Sequence, residues 1–76
     1  MTAASSKHLA DTNLLVRTLM EKAISDNGWS SAEYAKRVGI SAVKVISLRR
    51  GLIMIDALTV GELLLIGDFH KVGFTF

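Results

Sequence analysis

The 76-residue sequence predicts a small, mainly all-α domain, a bundle of four to five helices with two of them crossing steeply at a glycine. Three observations carry that expectation. Apolar residues recur at helical spacing from Val16 to Ile24. The stretches "WSSAEY" and "LTVGE" each place glutamate three residues after a serine or threonine, the spacing of a helix start. Gly39 interrupts an otherwise helical basic stretch, "YAKRVGISAVKVISLRRG", residues 34–51. Two apolar segments, 52–55 and 72–76, leave room for a short β pair.

Taken in order, residues 1–10 are small and polar and read as a flexible tail. From Asp11 or Thr12, Val16, Leu19, Met20, Ala23 and Ile24 form one stripe, with Arg17, Glu21 and Lys22 opposite. That helix should stop near Asp26-Asn27-Gly28. Ser30 is then the N-cap of a second helix, Ser31 to about Val38, with Glu33 completing a capping box and Trp29 and Tyr34 spaced as a hydrophobic staple. Gly39 ends it where the turn needs a positive φ. Ser41 caps a third helix, Ala42 to Arg50, closed by Gly51. Tyr34, Ala35 and Val38 face inward on the second helix, Val45 and Leu48 on the third, and Ile40 plugs the corner.

Beyond Gly51, the run Leu52-Ile53-Met54-Ile55 is too short for a helix and suits a buried strand or an interface segment. Thr59 and Glu62 predict a fourth helix from Val60 through Leu63, Leu64, Ile66 and Phe69. Gly61 and Gly67 each weaken it by about 1 kcal/mol relative to alanine. The closing "KVGFTF" alternates as a short strand does. The segment 11–76 therefore reads as one domain.

Composition narrows the function. Half of the residues are hydrophobic, so the chain either packs very efficiently or hides apolar surface against a partner. There is no cysteine, which excludes disulfides and thiolate metal sites. Charges leave no uncharged run of the roughly 18 residues a membrane span needs. The first residues lack a signal peptide's apolar segment, so a cytoplasmic, nucleoid-associated protein is expected. The two histidines, His8 and His70, have no partners at ligand spacing, and no phosphate loop, nucleophile elbow or carboxylate pair is present. No catalytic residue, cofactor or metal site is expected, and His70 suits the C-terminal dipole of its helix.

The formal net charge of +2 hides a segregation. Residues 34–55 hold Lys36, Arg37, Lys44, Arg49 and Arg50 without one acid, while the rest of the chain sets four cations against all seven acids. A one-sign block beside an acidic remainder points to a polyanion. A basic face without any partner is the plainer alternative.

The segment Ser31–Arg50 resembles the helix-turn-helix of the lambda-repressor-like (XRE) DNA-binding domains. With Ser31 as the first of the motif's twenty positions, the family's small residue falls on Ala35 and its turn glycine on Gly39. Its buried apolar sites fall on Tyr34, Val38, Ile40, Val45 and Leu48, and "RRG" matches the usual helix ending. In that family one helix precedes the motif and one or two follow. This chain departs from the pattern at Ser31, where glutamine is frequent. Ala42, Val43 and Ile46 are apolar where the family commonly offers polar or basic residues.

The resemblance implies a sequence-selective transcriptional regulator, a repressor acting as a homodimer, with helix 42–50 in the major groove of double-stranded DNA. Val43, Ser47 and Arg50 share one face of that helix (i, i+4, i+7), with Lys44 beside them. Lys36, Lys44, Arg49 and Arg50 suit phosphates, Ser47 any base, and Ala42 and Val43 thymine methyl groups. Ser31 and Ser41, at the starts of the two helices, complete the expected surface. Leu52, Ile53, Met54, Ile55, Phe74 and Phe76 are the expected dimer surface, or else this domain's own core. The rival reading is a protein-interaction module of the same fold, an antitoxin or corepressor whose apolar surface binds a protein.

Overall fold

The computed structural model describes residues 3–73, with side chains from Ala10 onward. The chain forms α1 (Ala3–Asn27), α2 (Ser31–Val38), α3 (Ala42–Arg49), a 3-10 turn (Ile55–Ala57) and α4 (Val60–His70). No strand occurs among the described residues. At 1.5 Å per residue, α1 alone extends about 38 Å, the long dimension of a molecule measuring 38 × 24 × 20 Å. It begins eight residues before the expected start at Asp11. Residues 3–10 of the expected tail are thus helical. Alanine, lysine and leucine favour helix there, and no glycine or proline interrupts the run.

The centre of the molecule follows its caps. Ser30 Oγ accepts the Glu33 N–H at 3.1 Å, one half of the expected box; the Glu33 carboxylate turns instead to Arg37 Nε, 2.9 Å away. The expected Trp29–Tyr34 staple runs through a third ring. Phe69 of α4 lies 6.1 Å from Trp29 and 5.8 Å, edge-on, from Tyr34, and the Arg37 guanidinium stands 4.6 Å from the Trp29 ring centre. Gly39 has φ 94°; its N–H and that of Ile40 both return to the Ala35 carbonyl, at 2.8 and 3.0 Å. That closes α2 and starts α3 in a new direction within three residues. Ser41 sits at the N-cap without a side-chain hydrogen bond.

One core joins all four helices. Val16, Met20 and Ile24 of α1 meet Tyr34, Ala35 and Val38, then Val45 and Leu48, then Ile55, Leu58, Leu63 and Ile66. Each fully buried aliphatic side chain contributes about 1.5–3 kcal/mol. The expected inward stripes of α2 and α3 are all in this cluster, and Ile40 packs against it from the corner.

The expected strand at 52–55 is a correction. Gly51 has φ 72°, the Leu52 N–H turns back to the Ser47 carbonyl at 2.9 Å, and the Ala57 N–H bonds Met54 at 3.0 Å. Backbone groups that a sheet would need are used locally. Asn13 Oδ1 of α1 accepts the Ile55 N–H at 3.0 Å, which docks the turn on the first helix. Of the expected partner strand 72–76, residues 74–76 lie outside the described residues. At α4 the capping box is complete: Thr59 Oγ1 accepts the Glu62 N–H and Glu62 Oε1 accepts the Thr59 N–H. Among the described residues, no helix is long and apolar enough to cross a membrane.

Candidate nucleic-acid interface

The Gly39 turn lets α3 bury Val45 and Leu48 while its opposite side stays open. Val43 is 71% exposed, Ile46 37%, and Arg50 is exposed beyond them. Ser47 is half-buried, as is Ala42, which leans on the core. Ser41 is exposed at the start of α3 and Lys36 on α2. The face Val43, Ser47, Arg50 is therefore assembled as the spacing requires. Arg50 is the C-cap of α3 rather than its last helical residue.

The basic block is a different matter, because folding brings acids to it. Lys44 Nζ lies 2.7 Å from Glu62 Oε1, the same oxygen that caps α4. The Lys44 ammonium and the Thr59 N–H hold the Glu62 carboxyl below the usual carboxylate range. Arg49 is committed more tightly still. Its Nε and Nη2 grip the two oxygens of Glu21 on α1 at 2.6 and 3.0 Å, and Nη1 donates to Ser31 Oγ at 2.7 Å. The hydrogen-bonded guanidinium lowers the Glu21 pKa and the carboxylate raises that of Arg49. A bidentate arginine–carboxylate pair is among the stronger exposed ion pairs. Arg17 of α1 adds a contact nearby, donating from Nη2 to the Arg49 carbonyl at 3.1 Å, a cation placed at the negative end of α3.

With Arg37 on Glu33, three of the block's five cations are paired. Among the described residues, Lys36 and Arg50 take part in no ion pair. Of the expected phosphate contacts, these two are exposed and unpaired, while Lys44 and Arg49 are ties between helices. Ser31 is the acceptor of such a tie. Glu21, Glu62 and Arg17 were not among the expected site residues: the sequence placed Glu21 and Arg17 on the polar side of α1 and Glu62 in the capping box of α4. An open groove of about 520 Å³ beside α3 is lined by Ser31, Ile46, Arg49, Arg50 and Glu21, so one wall carries an acid.

The expected dimer residues are split. Ile55 is 4% exposed and belongs to the core, and Ile53 packs against it. Leu52, at 71%, and Met54, at 39%, point outward. Phe74 and Phe76 lie outside the described residues.

Tyr34 is fully buried beneath this surface, and burial pushes its hydroxyl up to about 12. Its Oη lies 2.8 Å from Nε2 of His70, and burial lowers the His70 pKa. The tautomer sets the direction of this bond: an imidazole protonated on Nδ1 accepts the hydroxyl's hydrogen bond at Nε2, and one protonated on Nε2 donates to the hydroxyl oxygen. His70 stands in the last turn of α4, as expected, and from there ties α4 to α2. Comparison with family models, curated proteins and solved structures finds no match to this chain.

Proposed function

We propose that this chain binds double-stranded DNA with α3 in the major groove and acts as a sequence-selective transcriptional regulator, a homodimeric repressor of the lambda-repressor-like kind. The observation that carries the reading is the sharply turned α2–Gly39–α3 unit, with Val43, Ser47 and Arg50 facing outward from a helix braced on its other side. Arg50 and Lys36 flank that face and suit phosphates; Ser47 and Val43 suit base edges, the latter a thymine methyl. Repression needs nothing beyond occupancy of a promoter.

With two unpaired cations in the basic block of each protomer, the electrostatic part of binding along α3 is small. Each neutralised phosphate contributes about 0.9 to the slope of log affinity against log salt. The expected slope is about −1.8 for one protomer and about −3.6 for two. Specificity then rests on van der Waals contact and DNA shape more than on charge.

One observation favours the protein-interaction reading: the front of α3 is apolar at Val43 and Ile46, with Glu21 and Glu62 at its margins. Fluorescence anisotropy with a labelled duplex over a series of salt concentrations separates the two. DNA binding with the stated slope supports the first. A flat response, or none, favours an apolar protein partner.

A further inference from the structure

α4 (Val60–His70) is apolar on all sides. Leu63 and Ile66 point into the core, yet Val60 is 59% exposed, Leu64 52%, Leu65 42% and Phe69 36%. A helix apolar all round is normally covered on all sides. Its ionisable groups are Glu62, Asp68 and His70. Glu62 is occupied by its own cap and by Lys44, and His70 by Tyr34. Asp68, one turn beyond Leu64, is the one acid left on the outward side, and it is exposed.

We propose that this face receives a second copy of the same chain, α4 against α4, antiparallel about a two-fold axis at Leu64. An isologous contact needs a surface complementary to itself, and charge decides the direction. Antiparallel packing about Leu64 sets Asp68 of each copy opposite Val60 of the other. Its carboxylate then meets the first turn of the partner's helix, where unbonded N–H groups and the positive end of the dipole favour an anion. Parallel packing would set Asp68 against Asp68. Gly61 is exposed, and the nearest atom to a Cβ built there is Thr59 Oγ1 at 3.8 Å. The absence of a side chain at that place lets the two backbones approach. This surface replaces 52–55 as the dimer contact. It deepens the homodimer part of the proposed function but does not depend on DNA.

The test is self-association without DNA. The chain has no cysteine, so Leu64→Cys supplies a single thiol, on the axis. Mild oxidation should link it to its copy in high yield, while Leu14→Cys, exposed on α1, should link poorly under the same conditions. By sedimentation equilibrium the unmodified chain should dimerise. Leu64→Glu should weaken the dimer more than tenfold at unchanged helical circular dichroism. Gly61→Ala should also weaken it, although alanine favours the helix itself. A monomeric wild-type chain, or equal linking of the two cysteine variants, or a dimer indifferent to Leu64→Glu, would overturn the proposal. A monomer that still binds DNA would overturn this interface alone.

Discussion

Arg49 holds Glu21 through both oxygens of the carboxylate, 2.6 Å from Nε and 3.0 Å from Nη2, across 28 residues of sequence. The pair welds α3 to α1, and it also sets a negative group beside the groove where a phosphate would approach. Structure and binding pull on this arginine in opposite directions. Glu21→Gln should therefore tighten DNA binding and steepen the salt slope by about 0.9 per protomer, as Arg49 becomes able to meet a phosphate. Anisotropy titrations of the two proteins in parallel check this. An unchanged slope would leave Arg49 as a brace only.

The two unpaired cations of the basic block should behave unlike the paired ones. Arg50→Ala and Lys36→Ala should each reduce the magnitude of the slope by about 0.9 and leave the melting temperature within experimental scatter. Lys44→Ala should do the reverse. It deprives Glu62 of its partner at the α3–α4 junction, and partly exposed pairs of this kind contribute up to about 1 kcal/mol. Salt titration and urea unfolding of the three variants distinguish the roles. A Lys44→Ala slope that falls as far as that of Arg50→Ala would contradict them.

The sequence made some of this legible and hid the rest, for a physical reason. The α2–α3 unit is written in short-range signals: Ser30 three residues before Glu33, Gly39 at the turn, Val45 and Leu48 on one stripe. Each acts within one or two helical turns, so a reading of neighbours suffices. The ties between helices do not. Lys44 meets Glu62 at a separation of 18 residues and Tyr34 meets His70 at 36. Helical periodicity gives the stripe of a helix but not which neighbour its polar side will face. An acid-free segment therefore looked like a free basic surface when acids from α1 and α4 fold onto it. The run 52–55 misled similarly. β-branched composition favours strand, but the local bonds after Gly51 and the Asn13 contact, 42 residues away, bend residues 52–54 into the 3-10 turn that begins at Ile55.

At Gly39 the cost of a side chain should be conformational. The nearest atom to a Cβ is Leu65 Cδ1 at 3.8 Å, an ordinary contact, whereas φ 94° is a conformation that L-residues avoid. Gly39→Ala should lose about 1–2 kcal/mol, and Gly39→Val more, because branching stiffens the backbone further. Urea midpoints measure it. A wild-type midpoint for both variants would mean that α3 does not depend on this turn.

Acid should loosen the α2–α4 contact. Burial lowers the His70 pKa from its ordinary value of 6.5, so the unfolded chain takes up the proton first. Stability present above about pH 6.5 is then lost as pH falls through the lower folded value. Glu21 and Glu62, lowered by Arg49 and Lys44 respectively, add a separate loss below their ordinary 4.5. Melting temperature should begin to fall as pH drops below about 6.5, and His70→Gln should flatten that limb while keeping the acid limb. Identical profiles for the two proteins would remove His70 from the account.

The central claim is that α3 reads duplex DNA, and the most direct measurement is selection of bound sites from random duplexes at moderate salt. The account predicts an enriched palindrome whose half-sites lie about 10 base pairs apart, one helical turn, with thymines where Val43 reaches the groove. No enriched sequence, with retention that is the same for every duplex or absent altogether, would contradict it.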